Sequence, residues 1–386
     1  GEELISSGMQ FEPIIMFAVI MGTKTPLDAG NSSIRNCLLA GGNNTAVQMT
    51  ISRRQSAWIS TLPNSSETKR GASFSSIINN EGSKSLNKKQ SNANFGQWLV
   101  GVTDGDGTFH FSEHAPNKWI FYFKIAQSTY NLRMLYYIKS MLGVGEVRIS
   151  NSSRGVAHNM AEYRIRDRKL LLTHIIPLFD QNRLLTSKEF NFKLFKEALQ
   201  IASETSLNAS EKQILLTNLK QKERSNEYIS SAWSIVNNKV TSLKDAQSVI
   251  PKSWLIGFTE AEGSFYLFKK DKNRIAHGFE ITQKLDKIVL DAAAFILGAK
   301  VLTKKTHYTL YTDSIENIPN IINYYQNTMK GMKSLEYRIW ARSFNKRNKE
   351  KGIERFIYLT KIQDLMRNIR TIRLDKTFKI ISNLEG

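Results

Sequence analysis

The apolar positions of this chain fall into two strongly patterned blocks, one over residues 98 to about 200 and one beginning at Trp254, with a polar helical stretch between them. Trp98-Leu99-Val100-Gly101-Val102-Thr103-Asp104-Gly105-Asp106-Gly107 aligns position by position with Trp254-Leu255-Ile256-Gly257-Phe258-Thr259-Glu260-Ala261-Glu262-Gly263. At the same offset Phe123-x-Ile125-x-Gln127 meets Phe279-x-Ile281-x-Gln283, and Leu142-Gly143 meets Leu297-Gly298 one residue short of it. Ser187-Lys188-Glu189-Phe190-Asn191-Phe192 and Met332-Lys333-Ser334-Leu335-Glu336-Tyr337 keep that order, closer to the motif in the second copy. Ordered matches of this kind predict two copies of one fold in a single polypeptide, a functional monomer built as a pseudo-dimer.

Within a copy the motif has the length and apolar content of a helix, ended by Gly107 or Gly263 where a left-handed residue is expected. Aromatic and β-branched runs at 108–112 and 119–128, joined by a Pro-Asn turn, predict a first strand pair, and 145–150 with 161–166 a second. Residues 131–142 are amphipathic and read as the helix between the pairs; 168–179 and 187–201 read as later helices. The order αββαββα, run twice, gives an α+β fold of two pseudo-symmetric half-domains, 95–201 and 251–345. Residues 1–94 are rich in Ser, Asn and Gly and read as a mostly disordered extension, 202–250 as a helical linker and 346–386 as a basic helical tail.

Side chains alternate across a sheet, so Tyr163 and Ile165 face one way and Arg164 and Arg166 the other. Arg148 and Ser150 oppose Val147 and Ile149 in the same manner, and Lys304 and Thr309 stand among apolar neighbours. One strand of this kind is a solvated face; several predict one core face and one cationic face. Lys and Arg total 54 against 34 Asp and Glu, a net charge of +20, which favours polyanions: nucleic acid, or an acidic membrane surface. Cys37 is the single cysteine, which excludes an intrachain disulfide framework and a cysteine-rich zinc site. The apolar run at 11–21 contains Glu12 and Pro13 and is shorter than the roughly 20 residues that span a bilayer, so no membrane helix is expected. With no basic segment before it, it reads as a short buried element or a fusion remnant rather than a signal peptide. A start at Gly1 is what processing, an upstream fusion or trimming would each leave.

Gly101 and Gly105 lie four apart on one helical face, as do Gly257 and Ala261, so the two motif helices can approach closer than the usual separation of roughly 8 to 10 Å. That packing would bring Asp106 and Glu262 side by side at the helix ends, where each carboxylate also meets the negative end of a helix dipole. A divalent cation with oxygen ligands suits the gap, and the backbone carbonyls of Gly105 and Ala261 are candidate further ligands. Two metals about 3.5 to 4 Å apart activate water and stabilise the leaving oxygen in phosphodiester hydrolysis. Alone, Asp-Gly-Asp-Gly reads equally as a turn or a weak calcium loop; its recurrence at the end of a second apolar helix favours the paired site. There is no Gly-rich phosphate loop, no His pair at metal spacing and no nucleophile triad, which disfavours a small-molecule enzyme.

Over residues 95 to 344 the doubled motif resembles the LAGLIDADG endonucleases and maturases encoded within mobile introns. The resemblance implies that Asp106 and Glu262, at the eighth motif position, bind Mg²⁺ (or Mn²⁺). It implies that Asp104 and Glu260 shape the helix ends, and that Gln127, Gln283, Lys188 and Lys333 complete the catalytic set. By position alone the two lysines read as helix-surface residues. It implies further that two four-stranded antiparallel sheets form a saddle on the DNA major groove, with Lys124, Arg148, Arg164, Arg166, Lys304 and Lys305 as contacts. The extension before residue 95 and the insert at 202–250 depart from the family pattern.

Family members cut an intron-less gene copy, help a group I intron fold for splicing, or do both. The wording of both motifs is most similar to RNA maturases encoded in yeast mitochondrial cytochrome b introns, with enzymes of cytochrome oxidase introns close. The implied partners are double-stranded DNA at an exon junction and group I intron RNA, with a host splicing protein as a further candidate. The implied location is the mitochondrial matrix, with no membrane partner. Lys346, Arg347, Lys349, Lys351, Arg367 and Arg370 in the tail read either as an RNA clamp or as a solvated helix face. A non-catalytic DNA-binding regulator on the same fold is the alternative, which loss of the eighth-position acids would favour; both are present.

Overall fold

The computed structural model describes residues 80–149 and 160–382, with side chains described from residue 93. The apolar run at 11–21, Cys37, Ser150 and the Arg370 side chain lie outside the described residues. Helix α1 (Asn80–Asp106) leads into β1 (Gly107–Ala115), β2 (Lys118–Ser128), α2 (Leu132–Leu142), β3 (Glu146–Ile149) and β4 (Met160–Ile165). Three contiguous helical segments follow at 168–181 (α3), the middle one a π turn at Leu171–Ile175, and then α4 (Lys188–Ser203). The second half repeats the sequence of elements as α7 (Lys252–Glu262), β5 (Gly263–Asp271), β6 (Arg274–Gln283), α8 (Lys287–Leu297), β7 (Lys300–Thr303), β8 (Tyr308–Thr312), α9 (Ile318–Tyr325) and α10 (Lys333–Lys346). Between the halves lie α5 (Ala209–Lys220), a 3₁₀ turn at Ser231–Val236 and α6 (Leu243–Val249); the chain ends in α11 (Gly352–Ser382).

The sheets have the same order, β1-β2-β4-β3 and β5-β6-β8-β7, all antiparallel. Even the irregularity repeats, with the first hairpin slipping register between Glu113 and Ala115 and the second between Lys269 and Asp271. Each sheet buries one face beneath an aromatic cluster, because alternation along β1 and β2 sends Phe109, Phe111, Phe121 and Phe123 inward. Phe109 packs 5.0 Å from Phe179 and 5.1 Å from Phe192; its counterpart Phe265 packs 5.2 Å from Trp340 and 5.4 Å from Tyr337. The Leu-Gly landmarks are helix stops: Gly143 (φ 71) and Gly298 (φ 65) cap α2 and α8 in the left-handed region, where a side chain is strained.

Two expectations change. The first motif helix begins at Asn80, so it crosses the expected boundary at residue 94. Gly107 and Gly263 are not left-handed: neither has positive φ, and Gly263 sits at φ −80, ψ 156. They are glycines because a Cβ would strike the Thr103 or Thr259 side chain one turn back as the helix turns into a strand. The insert at 202–250 is bound to the body, with the Trp119 indole donating to Gln213 of α5 (2.7 Å) and α6 packing on α8. The tail is helical as expected, and Gln363 of α11 donates to the Leu267 carbonyl (2.8 Å). Among the described residues no helix is long and apolar enough to cross a membrane.

Candidate active site

The motif helices α1 and α7 touch along their glycines. A Cβ on Gly101 would run into the Trp254 carbonyl oxygen and come within 2.8 Å of the Phe258 nitrogen. One on Gly257 would meet the Trp98 carbonyl and the Val102 nitrogen, the latter at 3.0 Å, and one on Gly105 would strike the Ala261 methyl. The interface predicted from Gly101, Gly105, Gly257 and Ala261 is therefore a backbone-to-backbone seam. Reciprocal bonds fix its register: the Trp98 indole donates to Glu260 (3.0 Å) and the Trp254 indole to Asp104 (2.8 Å).

At the end of the seam the Glu262 side chain lies over Gly105, where an added Cβ would sit 3.4 Å from Oε1. Desolvation raises the Asp106 carboxyl, while Lys188, a hydrogen bond from Gln127 and Lys333 pull it down. Desolvation and then the Asp106 charge push Glu262 up to about 6, opposed by Lys188, a bond to Gln283 and Lys333. Gln127 donates to Asp106 Oδ2 and is itself held by Asn131 (3.1 Å). The structure thus brings together all six residues expected to do chemistry, with equivalent glutamines on equivalent acids.

Both lysines turn inward from the first turn of a helix. Lys188 Nζ donates to the carbonyls of Thr103 (2.9 Å) and Gly105 (2.7 Å), and Lys333 Nζ to that of Gly263. Burial lowers the Lys188 pKa against the pull of Asp104, Asp106, Glu262 and Asp286. The Gly105 carbonyl, a candidate metal ligand, therefore accepts from the Lys188 ammonium.

The sixth-position acids anchor the loops that carry these lysines. Asp104 accepts the backbone N–H groups of Leu185 (2.8 Å) and Thr186 (3.2 Å), and Glu260 those of Lys330 and Gly331 (both 2.6 Å). Each loop is also capped from the other half: Asp286 Oδ1 accepts from Ser187 N–H (2.8 Å), and Asn131 Oδ1 from Met332 N–H (2.8 Å). Asn131 and Asp286 escaped the sequence reading, although they nearly keep the repeat offset. Glu336 escaped it too; it stands where the first copy has Asn191 and lines a cavity of about 300 Å³ with Asp106, Gln127 and Lys333.

The family profile described as LAGLIDADG endonuclease matches residues 99–199 and 255–344. The chain is 39% identical over 289 residues to the probable intron-encoded endonuclease Cox1-I1b of Schizosaccharomyces pombe, covering 72% of this chain and 69% of that protein. It belongs to the LAGLIDADG endonuclease family. A more distant relative, the probable intron-encoded endonuclease 4 of Neurospora crassa, is 27% identical, with 65% of this chain matching 40% of that protein. Among solved structures, the fold matches LAGLIDADG homing endonuclease I-GzeII in complex with its DNA target (TM-score 0.57, 20% identity, 70% of this chain and 97% of that one). It also matches I-SmaMI bound to uncleaved DNA in the presence of calcium ions (TM-score 0.57, 22% identity, 71% and 98%).

In this LAGLIDADG chain the expected cationic sheet face is a mixed one. Lys124, Arg148 and Arg164 do leave the core side, but Glu146 and Glu162 alternate with them. Arg148 pairs with Glu146 (2.6 Å), Arg164 with Glu162 (3.2 Å), and Lys124 stands 3.7 Å from Glu162. Arg166 lies beyond the end of β4, exposed. Lys304 and Lys305 occupy the exposed turn between β7 and β8, not a strand, and Thr309 is buried at 2% exposure. On the open face of the second sheet the Tyr266 ring covers Gly278 and its hydroxyl donates to Glu280 (3.1 Å), while register sets Tyr311 between Glu280 and the exposed Lys300.

Proposed function

We propose that this chain is a metal-dependent, site-specific DNA endonuclease that cuts both strands at an exon junction and acts in the mitochondrion, within the matrix. The observation that carries the reading is the placement of Asp106 and Glu262 at the touching ends of two helices, each held by a glutamine and flanked by an inward lysine. Two adjacent carboxylates, both raised by desolvation and Glu262 raised further by the Asp106 charge, are a donor set for a hard divalent cation. Asp106 and Glu262 would hold Mg²⁺ (or Mn²⁺), which supplies water activation and charge stabilisation at a phosphodiester. Gln127 and Gln283 orient the acids. Lys188 and Lys333 place positive charge beside the reacting phosphate and hold the attacking water, one lysine from each half. Lys124, Arg148, Arg164, Arg166, Lys304 and Lys305 bind the backbone and base edges of the duplex.

A second reading, assistance to splicing of a group I intron, is favoured by the exposed Lys349 and Lys351 where α10 meets α11. Not all of the basic tail is free for RNA, since Arg347 stacks on Phe344 at 3.6 Å and Arg367 lies 3.8 Å from Asp364. The test offers the purified chain, with Mg²⁺, a duplex of the joined exons flanking its coding intron and, in parallel, the precursor RNA. Defined double-strand ends that vanish in Asp106→Asn and Glu262→Gln support the endonuclease. Faster splicing without DNA cutting supports the maturase, where a host splicing protein would act, and binding without either activity supports a regulator.

A further inference from the structure

The two loops that present the catalytic lysines share their supports but for one. Leu184 to Lys188 corresponds to Met329 to Lys333, and in each the second and third residues donate N–H groups to the sixth-position acid of their own half. In each the fourth residue donates to a cap from the other half, Asp286 or Asn131. The first loop alone is also bonded from the linker. Ser230 Oγ donates to the Leu184 carbonyl (2.6 Å), and the Trp233 indole to the Leu185 carbonyl (2.8 Å). Next to Lys188, the Glu189 carboxylate accepts from Tyr228 Oη (2.7 Å), Ser231 N–H (2.9 Å) and Ser231 Oγ. Among the described residues no side-chain bond reaches the equivalent carbonyls of Met329 and Lys330. The brace is dry: Trp233 is 0% exposed, Ser230 1% and Leu185 3%.

We infer that residues 228–233 of the linker position Lys188 through a brace that, among the described residues, has no counterpart on the Lys333 loop, and so make the two lysine sites mechanically unequal. This rests on the endonuclease reading for its catalytic consequence. A buried carbonyl that loses its donor must find another or go unsatisfied, so removing the brace lets the Leu184–Ser187 backbone shift. Displacement of a catalytic group by about 1 Å costs on the order of a hundredfold in rate. Because each strand of a duplex is cut by its own arrangement of groups, the defect falls on one strand. The hydrogen bonds of Ser230, Tyr228 and Trp233 go to Leu184, Glu189 and Leu185 rather than to Asp106, Glu262 or Lys188; they act through the loop.

The experiment uses the full chain with Ser230→Ala, and with Trp233→Phe, which keeps an aromatic ring but removes the donor. Amide hydrogen exchange is expected to speed up at 184–190 and stay unchanged at 329–335. On the exon-junction duplex with each strand labelled separately, one strand's cutting rate is expected to fall on the order of tenfold or more. The other strand's rate holds, and nicked duplex accumulates. Unchanged exchange at 184–190 in both variants overturns the brace, as does equal slowing of both strands. Should the wild-type chain cut neither strand while the exchange difference persists, the endonuclease reading falls and the brace stands.

Discussion

The Trp98 indole on one motif helix donates to the Glu260 carboxylate on the other at 3.0 Å, and the pseudo-symmetric Trp254 returns the bond to Asp104 at 2.8 Å. Each acid also receives the N–H groups of the loop that carries its own half's lysine. The packing of the halves and the placing of the lysines are thus one network.

Asp104→Ala would strand the donors of Leu185, Thr186 and Trp254 in a site 3% exposed. The expected loss is about 3 to 5 kcal/mol in urea unfolding, since each stranded buried donor costs about 1 to 3 kcal/mol. Asp104→Asn keeps one acceptor oxygen and should cost less. Equal losses in the two variants would show that the hydrogen bonds are not what the site depends on.

Gly101→Ala and Gly257→Ala each push a methyl into the backbone of the facing helix. Overpacking of a close seam costs about 1 to 3 kcal/mol, and relief requires the helices to separate. Separation pulls Asp106 from Glu262, so cleavage should fall further than stability does. Melting curves and cleavage rates on the same preparations check this; wild-type values for both would mean the seam yields freely.

The Glu262 carboxyl rises from 4.5 to about 6, through desolvation and then the Asp106 charge. A folded chain that holds a proton more tightly than the unfolded one loses stability as pH rises from about 4.5 to about 6, and the loss is complete above that window. Glu262→Gln should flatten this slope and, without divalent ions, raise the melting temperature at pH 8 by about 2 to 4 °C. Divalent-ion binding, in which the cation competes with this proton, should weaken as pH falls through about 6, which a metal titration at pH 5 and pH 8 measures. A lower melting temperature for the variant at pH 8 would contradict the assignment.

Glu162 sits between Arg164 and Lys124 on the open sheet face. Glu162→Gln should release Lys124 to phosphates and loosen Arg164, which Glu146 still holds at 3.7 Å, raising non-specific duplex affinity and steepening its salt dependence by about one counterion, whereas Arg164→Ala should make it shallower by about one. Fluorescence anisotropy across a salt titration measures both slopes. Identical slopes in all three proteins would place this face away from the DNA.

What the sequence determined by itself was whatever repeats locally. The two copies, their αββαββα order, the glycine seam and the paired acids at its end were legible, because helical and strand periodicities and motif spacing are properties of neighbouring residues; Gln127, Gln283, Lys188 and Lys333 entered only through the family resemblance, since by position alone the lysines read as helix-surface residues. The role of Gly107 and Gly263 was not legible, since a glycine demanded by left-handed geometry and one demanded by the Thr103 or Thr259 side chain look alike in a string. Nor was the charge balance of the sheet face: Glu146 meets Arg164 only through strand register, which pairs residues far apart in sequence. The caps from Asn131 and Asp286 and the linker's grip on Leu184 and Leu185 join segments with no common pattern. Tertiary structure alone decided these, because a buried carbonyl or N–H takes whichever partner the packing of the two halves brings within about 3 Å.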